Sequence, residues 1–169
     1  IESRAEGLNK FMQSYARLAK LPAPHKRPCE LAPLLRRIVT LERRASVQLR
    51  EGPALTVSLD AAQIEQVLIN LLKNAVEAAP ETGQSGGPTC CVWVGWRKAP
   101  GHVEIIVEDD GPGIANPQNL FVPFFTTKPS GSGIGLVLCR QIAENHGGSL
   151  SLQNRDGATG CIARLRLPI

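Results

Sequence analysis

Residues 60–79 read DAAQIEQVLINLLKNAVEAA, and the pattern of this stretch decides the architecture. Ile64, Val67, Leu68, Leu71, Leu72, Ala75 and Val76 recur at three- and four-residue spacing, which predicts a helix with one broad buried face. Asp60 is a natural N-cap with Gln63 at the capping-box position three residues on, and Pro80 ends the run after Ala79. Asn70 and Asn74 interrupt the apolar pattern. Four residues apart, they sit about 40° apart around the helix axis, so two carboxamides can converge on one ligand. A neutral amide oxygen can ligate a divalent cation, and the NH₂ can donate to an anion without adding charge repulsion. The plain alternative is a pair of surface amides, although Asn is a poor interior helix former.

Working outward, residues 1–20 carry Leu8, Phe11, Met12, Tyr15, Leu18 and Ala19 on one stripe, the mark of an amphipathic helix. Leu21 to Pro28 holds three prolines and predicts a stiff linker. A second helix is expected over 30–44, where Leu31, Leu34, Leu35, Ile38, Val39 and Leu41 form a stripe. Val47 and Leu49, then Leu55, Val57 and Leu59, alternate as one or two short strands around Glu51-Gly52-Pro53. Downstream of residue 80, Gly83 to Pro88 reads as a flexible loop. Strands are expected at about 89–97 and 102–109, joined at Pro100-Gly101. Val103, Ile105 and Val107 alternate with Glu104 and Glu108, so the second strand is half-buried between antiparallel neighbours. Residues 110–132 lack periodicity. A helix from about Gly133 to His146 stops at Gly147-Gly148, and strands near 149–154 and 160–167 close the chain. Helices and strands mix without regular βαβ alternation, which predicts an α/β (α+β) two-layer sandwich with a mixed sheet, preceded by one amphipathic helix.

The chain has 169 residues, 43% hydrophobic and 20% charged, enough for one packed domain plus an appendage. Its five cysteines form no C-x-x-C pair, which argues against a zinc site or a secreted disulfide framework. No apolar run approaches the ~18 residues of a membrane span. The first residues, Ile1-Glu2-Ser3-Arg4, carry neither an initiator Met nor a signal-peptide core, as expected of an excised fragment. Net charge is +4, but residues 1–50 hold eleven Lys/Arg against four Asp/Glu, and residues 51–169 hold eight against eleven. The basic excess belongs to the N-terminal segment, and no aromatic sits within the pairs Arg36-Arg37 and Arg43-Arg44. These charges read as a solvated helix face and exclude nucleic acid as the partner.

Two further stretches carry chemistry. Asp109-Asp110-Gly111-Pro112-Gly113-Ile114 follows a strand end, where a carboxylate can accept from an exocyclic amine while glycines let a flat ring lie over the turn. Taken alone, it is also an ordinary turn or a cation loop. Gly131-Ser132-Gly133-Ile134-Gly135-Leu136 precedes a helix, and such a turn offers free N–H groups and the positive dipole end to a phosphate. Its spacing is neither that of a P-loop nor of the dinucleotide fingerprint. Lys128 just upstream can place a positive charge on a terminal phosphate. Phe121, Phe124 and Phe125 are expected to form a latch that packs when the loop closes, or else simply to pack the loop base.

Taken in order, "QVLINLLKNAVEAA", "VEDDGPGI", "LFVPFFTTK" and "GSGIGL" resemble the N box, first glycine box, F box and second glycine box of bacterial sensor histidine kinases. The resemblance runs from about residue 30 to the C-terminal "RLRLP". Residues 8–28 look, more loosely, like the second helix of a dimerisation and phosphotransfer hairpin with its linker, as in nitrogen-sensing-type kinases. The resemblance implies a Bergerat ATP-binding fold shared with gyrase, Hsp90 and MutL, with residues 29–169 as the catalytic domain and 1–28 as the hairpin remnant. It implies ATP and Mg²⁺ as cofactors. Asn74 would ligate the metal and Asn70 would orient the site. Asp109 would take the adenine amine beside Gly111, Gly113 and Ile114. Thr127, Lys128, Gly131, Ser132, Gly133, Ile134, Gly135 and Leu136 would hold the triphosphate.

The chain departs from the family pattern at three places. There is no H-E-x-x-N-P acceptor motif, and His25, His102 and His146 read as structural or solvated, so the phosphorylated histidine is expected upstream of Ile1. Cys161 stands where relatives carry Ser or Thr near adenine, and Glu77 where many carry a basic residue. The implied activity is transfer of the ATP γ-phosphoryl to a histidine on that missing helix. The partners are the protein's own dimerisation domain, as a homodimer, and a response-regulator receiver domain. A cytoplasmic location follows, with the full-length protein either free or anchored in the inner membrane and no membrane contact in this segment. The alternatives are a gyrase- or Hsp90-type ATPase, a serine kinase, and a non-catalytic ATP-responsive interaction module. The ATPase reading is disfavoured because those enzymes use Glu at the position of Asn70, and an amide cannot serve as a base.

Overall fold

Residues 2–42, 46–78, 91–128 and 131–169 are described by the computed structural model. The elements run α1 (Glu2–Ala19), β1 (Arg27–Glu30), α2 (Leu31–Leu41), β2 (Ser46–Arg50), β3 (Thr56–Leu59), α3 (Ala61–Ala78), β4 (Cys91–Ala99) and β5 (His102–Asp109). A 3-10 turn (Pro117–Asn119), α4 (Gly135–Asn145), β6 (Ser149–Asn154) and β7 (Cys161–Pro168) follow. The Arg43-Arg44 pair, Cys90, the helix stop at Pro80 and the loop at Gly83 to Pro88 lie outside the described residues.

Five strands form one sheet in the order β2-β4-β5-β7-β6. Only β2 and β4 run parallel, and β5 lies between two antiparallel neighbours as its alternation predicts. Register builds the core in cross-strand rows. Trp96, Ile105, Leu165 and Leu150 make one row, and Val94, Val107, Ala163 and Leu152 the next. The buried faces of α2, α3 and α4 join this core through Leu35, Ile38, Ile64, Val67, Leu68, Leu138 and Ile142. Helices on one face of a mixed sheet give the two-layer sandwich.

On the opposite face Glu104 is only 1% exposed. It stands directly across from Arg97 on one side and Arg166 on the other, pairing at 2.5 and 2.9 Å. Burial alone would raise its carboxyl, but Arg166 and Arg97 hold it below the ordinary 4.5.

The structure corrects the sequence expectation in three places and resolves it in a fourth. The linker contains a strand: β1 pairs antiparallel with β3, placing Arg27 opposite Leu59 and Pro28 opposite Ser58. A two-stranded ribbon consists of edges, where a proline is tolerated. The one or two strands expected around Val47–Leu59 are two, and they lie in two different sheets. Asp60 caps α3 through Oδ1, accepting the N–H groups of Ala62 and Gln63 at 3.1 and 3.2 Å, but the reciprocal half of the capping box is absent. The Gln63 amide donates instead to Pro22 O, and the Asp60 N–H goes to His146 Nε2. Finally, α4 starts at Gly135, because Gly133 is left-handed (φ 68°) and its carbonyl is taken by Phe124 N–H.

Candidate functional site

A cleft of 970 Å³ opens between the polar side of α3, the C-terminal end of β5 and the segment leading into α4. Asn70, Asn74, Asp109, Gly113, Ile114, Thr127, Lys128, Gly131, Ser132, Gly133, Ile134, Gly135, Leu136 and Cys161 all line it. Gly111 alone among the predicted residues stands behind the wall. Its N–H donates to Asp109 Oδ1 at 2.9 Å, and a Cβ there would lie 2.5 Å from Ala78 O, so the turn passes the end of α3 only as glycine.

At one end of the cleft, Asp109 ends β5 and is only 5% exposed. Its Oδ1 accepts from Gly111 N–H and from Cys161 N–H at 3.3 Å. Burial pushes its carboxyl above the ordinary value, against those two N–H bonds. The result is a fixed acceptor in a dry wall. Cys161 beside it is pushed up to about 12, first by burial and then by the Asp109 charge, so it lines the cleft as a protonated thiol.

Asn154, at the end of β6, was not marked by any sequence signal. Its Oδ1 accepts Ile114 N–H at 2.6 Å and its Nδ2 donates to Ile114 O at 3.3 Å, a two-way clasp that mimics a strand partner. Gly113, at φ 85°, passes so close that a Cβ would stand 2.7 Å from Asn154 Oδ1. An asparagine at a strand end carries no periodicity and no motif, so only the fold reveals it.

At the other end, Lys128 Nζ donates to Asn74 Oδ1 at 2.9 Å and pairs with Glu77 Oε2 at 2.5 Å. Asn70 packs against the start of α4, where a Cβ on Gly135 would meet Asn70 Nδ2 at 2.6 Å. No side chain caps α4, and its first helical bond is Leu138 N–H to Ile134 O. The first-turn N–H groups therefore have no helical acceptor and are available to an anion.

The segment between these ends is fastened through aromatics. Phe124 has φ 65°, unusual for a non-glycine residue, and its N–H donates to Gly133 O at 2.9 Å. Its ring stacks on Phe11 of α1 with centroids 4.4 Å apart, while Phe121 packs against the core beneath Arg140. Phe125 is 41% exposed and lines the cleft. The expected latch is thus divided: Phe121 anchors the base and Phe124 reaches α1. Ser14 and Arg17 of α1 also line the cleft, which the sequence did not indicate.

Among the described residues no cluster of three or more His, Cys, Asp or Glu that could hold a metal ion exists. The donor set does fit one face of a hard cation. Asn74 Oδ1 and Glu77 Oε2 gather on a single cationic atom, the Lys128 ammonium, and a hard divalent ion takes such oxygens together with phosphates and waters.

Two of the three histidines have side-chain contacts away from the cleft lining. His146 is 1% exposed, with Nδ1 bonded to Ile142 O at 2.8 Å and Nε2 accepting from Asp60 N–H. His102 Nδ1 contacts Pro100 O at 3.1 Å in the β4–β5 hairpin, and His102 does not line the cleft.

The C4-dicarboxylate transport sensor protein DctS of Rhodobacter capsulatus is 42% identical over 121 residues, covering 70% of this chain and 18% of that protein. The solved catalytic domain of histidine kinase ThkA has a TM-score of 0.72 at 30% identity, covering 85% of this chain and 95% of that one. ThkA in complex with its response regulator protein TrrA gives 0.75 at 25% identity over 99% of this chain and 48% of that one. The chain thus spans about a fifth of the length of the sensor protein DctS. Residues 59–169 match the histidine kinase-, DNA gyrase B-, and HSP90-like ATPase family, and the chain belongs to that family.

Proposed function

We propose that this cleft binds ATP with Mg²⁺ and that residues 29–169 are the catalytic domain of a two-component sensor histidine kinase. The γ-phosphoryl would pass to a histidine on a dimerisation helix. The observation that carries this reading is the polarity of a single cleft, with a fixed buried acceptor, Asp109, at one end and Lys128, Asn74 and the uncapped start of α4 at the other. An adenine amine matches the first, and a triphosphate matches the second.

Asp109 receives the amine, Gly113 leaves room above it, and Cys161 keeps that end of the cleft apolar. Asn70 holds the first turn of α4 in place, so its N–H groups stay aimed at the phosphates. Lys128 supplies positive charge to the terminal phosphate. Asn74 Oδ1 is the oxygen that would hold Mg²⁺, and the ion would supply positive charge to offset that of the phosphates. Catalysis in this arrangement is positioning and electrostatic stabilisation of the charge that develops in transfer.

Residues 1–28 serve as the returning helix and linker of the dimerisation hairpin, and a receiver domain is the onward partner. The working location is cytoplasmic, with the full-length protein free or anchored in the inner membrane. Among the described residues no helix is long and apolar enough to cross a membrane.

Incubation of this chain with γ-labelled ATP, with and without a supplied hairpin bearing the acceptor histidine, tests the reading. Label on the hairpin histidine is the expected result. Fast release of free phosphate would instead support an ATPase, and binding without either an interaction module.

A further inference from the structure

The sheet face turned away from the helices carries charge of one sign. Register sets Arg97, Glu104 and Arg166 in one outward row and Trp93 and Glu108 in another, with Ile106 and Arg164 in the row between. Each carboxylate is shared by two guanidiniums. Glu104 pairs with Arg97 at 2.5 Å and Arg166 at 2.9 Å, and Glu108 pairs with Arg155 at 2.9 Å and Arg50 at 3.4 Å. Arg50 and Arg155 also lie over the Trp93 ring, 4.8 and 5.5 Å from its centroid. The guanidinium of Arg164, half-buried in the middle row, has no ion pair or hydrogen bond among the described residues. Five arginines thus meet two glutamates. Of the eight Lys/Arg in residues 51–169, a span that holds eleven Asp/Glu, four stand on this face. None of these side chains lines the cleft.

We propose that this face docks an acidic protein segment, with Arg164 as its central carboxylate receptor. An arginine fork takes a carboxylate through two parallel N–H···O bonds. The other four guanidiniums are already oriented by Glu104, Glu108 and the Trp93 ring, so little side-chain freedom is lost on binding. Arg50, Arg97 and Arg166 remain more than half exposed, with N–H donors to spare beyond their present partners. Beside Arg164 the half-buried Ile106 and Ile162 supply the apolar middle that a segment of alternating carboxylates and aliphatics would cover. A nucleic acid fits less well, because the ring on which a base would stack is already taken by Arg50 and Arg155. An anionic membrane fits less well, because the apolar side chains here are half-buried between strands and do not project for insertion.

NMR titration of the 169-residue chain with a short peptide repeating Glu-Leu-Asp, and with its neutral Gln-Leu-Asn counterpart, tests the proposal. The acidic peptide is expected to shift the Arg164 Nε–H and the Trp93 indole N–H while the side-chain amides of Asn70 and Asn74 in the cleft stay in place. The neutral peptide should shift none of them. Arg164→Gln is expected to weaken the acidic peptide about tenfold with no change in melting temperature, because this guanidinium holds no described partner within the fold. Lys10→Glu, a larger change of charge on the exposed side of α1, is expected to leave the affinity within about twofold. No shift up to about 1 mM peptide, shifts confined to the cleft amides, or equal weakening by both substitutions overturns the inference. Tighter binding of a single-stranded oligonucleotide, or of vesicles containing phosphatidylserine, to the same face overturns it as well. Each of these failures leaves the ATP reading standing, since the two sites are read from different residues.

Discussion

Asp109 shows how a single residue is set between stability and function. Its carboxyl is buried at the end of β5 and pushed above the ordinary 3.8, so the folded chain holds that proton more tightly than the unfolded chain does. Its ionisation therefore opposes folding, an effect absent below 3.8 and established as pH rises through the raised value. Asp109→Asn keeps an oxygen for the Gly111 and Cys161 N–H groups and removes the charge. We expect the variant to be more stable than wild type at neutral pH, with the difference closing as pH falls toward 3.8. ATP affinity should fall, because the amide turns a donor toward a donor. Thermal melts across pH 3–8 and calorimetry at pH 7 check the two halves separately. A variant less stable at neutral pH would show that the carboxylate holds its turn together through its charge. That Asp109 would stand at the cleft was legible from its place between a strand and two glycines. Asn154, which fixes the same turn from β6, was not, since its function exists only once β6 and β7 have brought it opposite Ile114.

Among elements, periodicity decided most of what could be read. The stripe of α3, the alternation of β5 and the glycine stop of α4 are local patterns, and the structure has each of them. At that stop Gly147 is left-handed, and its N–H and that of Gly148 return to Glu144 O and Ala143 O, which closes the helix end. What escaped was pairing across long separations. Nothing near Arg27–Glu30 announces a partner at Thr56–Leu59, and nothing near Val47 says that β2 joins a different sheet from β3. Within the segment that leads into α4, the fastening contact is the Phe124 N–H to Gly133 O bond. An alanine at 133 would have to hold φ 68° and bring its Cβ to 2.5 Å from the Phe124 carbonyl carbon. Leaving that geometry releases the segment, since the left-handed conformation alone costs ~1–2 kcal/mol for a residue with a Cβ. Gly133→Ala is expected to weaken ATP binding about tenfold. The melting temperature should move little, because residues 122–128 are exposed and lie outside the core. Calorimetry and a thermal melt on the same sample distinguish this from general destabilisation, in which both would change together.

For the whole molecule, the question is what the first helix does. Among the described residues, only Leu18 of α1, with Leu21 just beyond, packs against the core. Leu8, Phe11, Met12 and Tyr15 are 63, 44, 59 and 54% exposed along one side of α1. Such a stripe is too apolar for water to be its final surroundings. Phe11 places part of it against Phe124, in the segment that leads into α4, so the same helix touches that segment of the cleft wall and whatever covers the stripe. If the stripe is a helix-pairing seam, the chain should associate through it as concentration rises, and charge placed on it should prevent this. Leu8→Lys with Met12→Lys is the appropriate pair, because both side chains lie outside the core and neither lines the cleft. Sedimentation velocity from about 5 to 500 μM is expected to show a rising weight-average mass for the wild type and a constant monomer mass for the double variant. The melting temperature should be the same in both at low concentration, since the buried rows of the sheet and the faces of α2, α3 and α4 are untouched. Equal sedimentation of the two proteins across the range would rule out the seam and leave the Phe11–Phe124 stack as the contact that α1 provides.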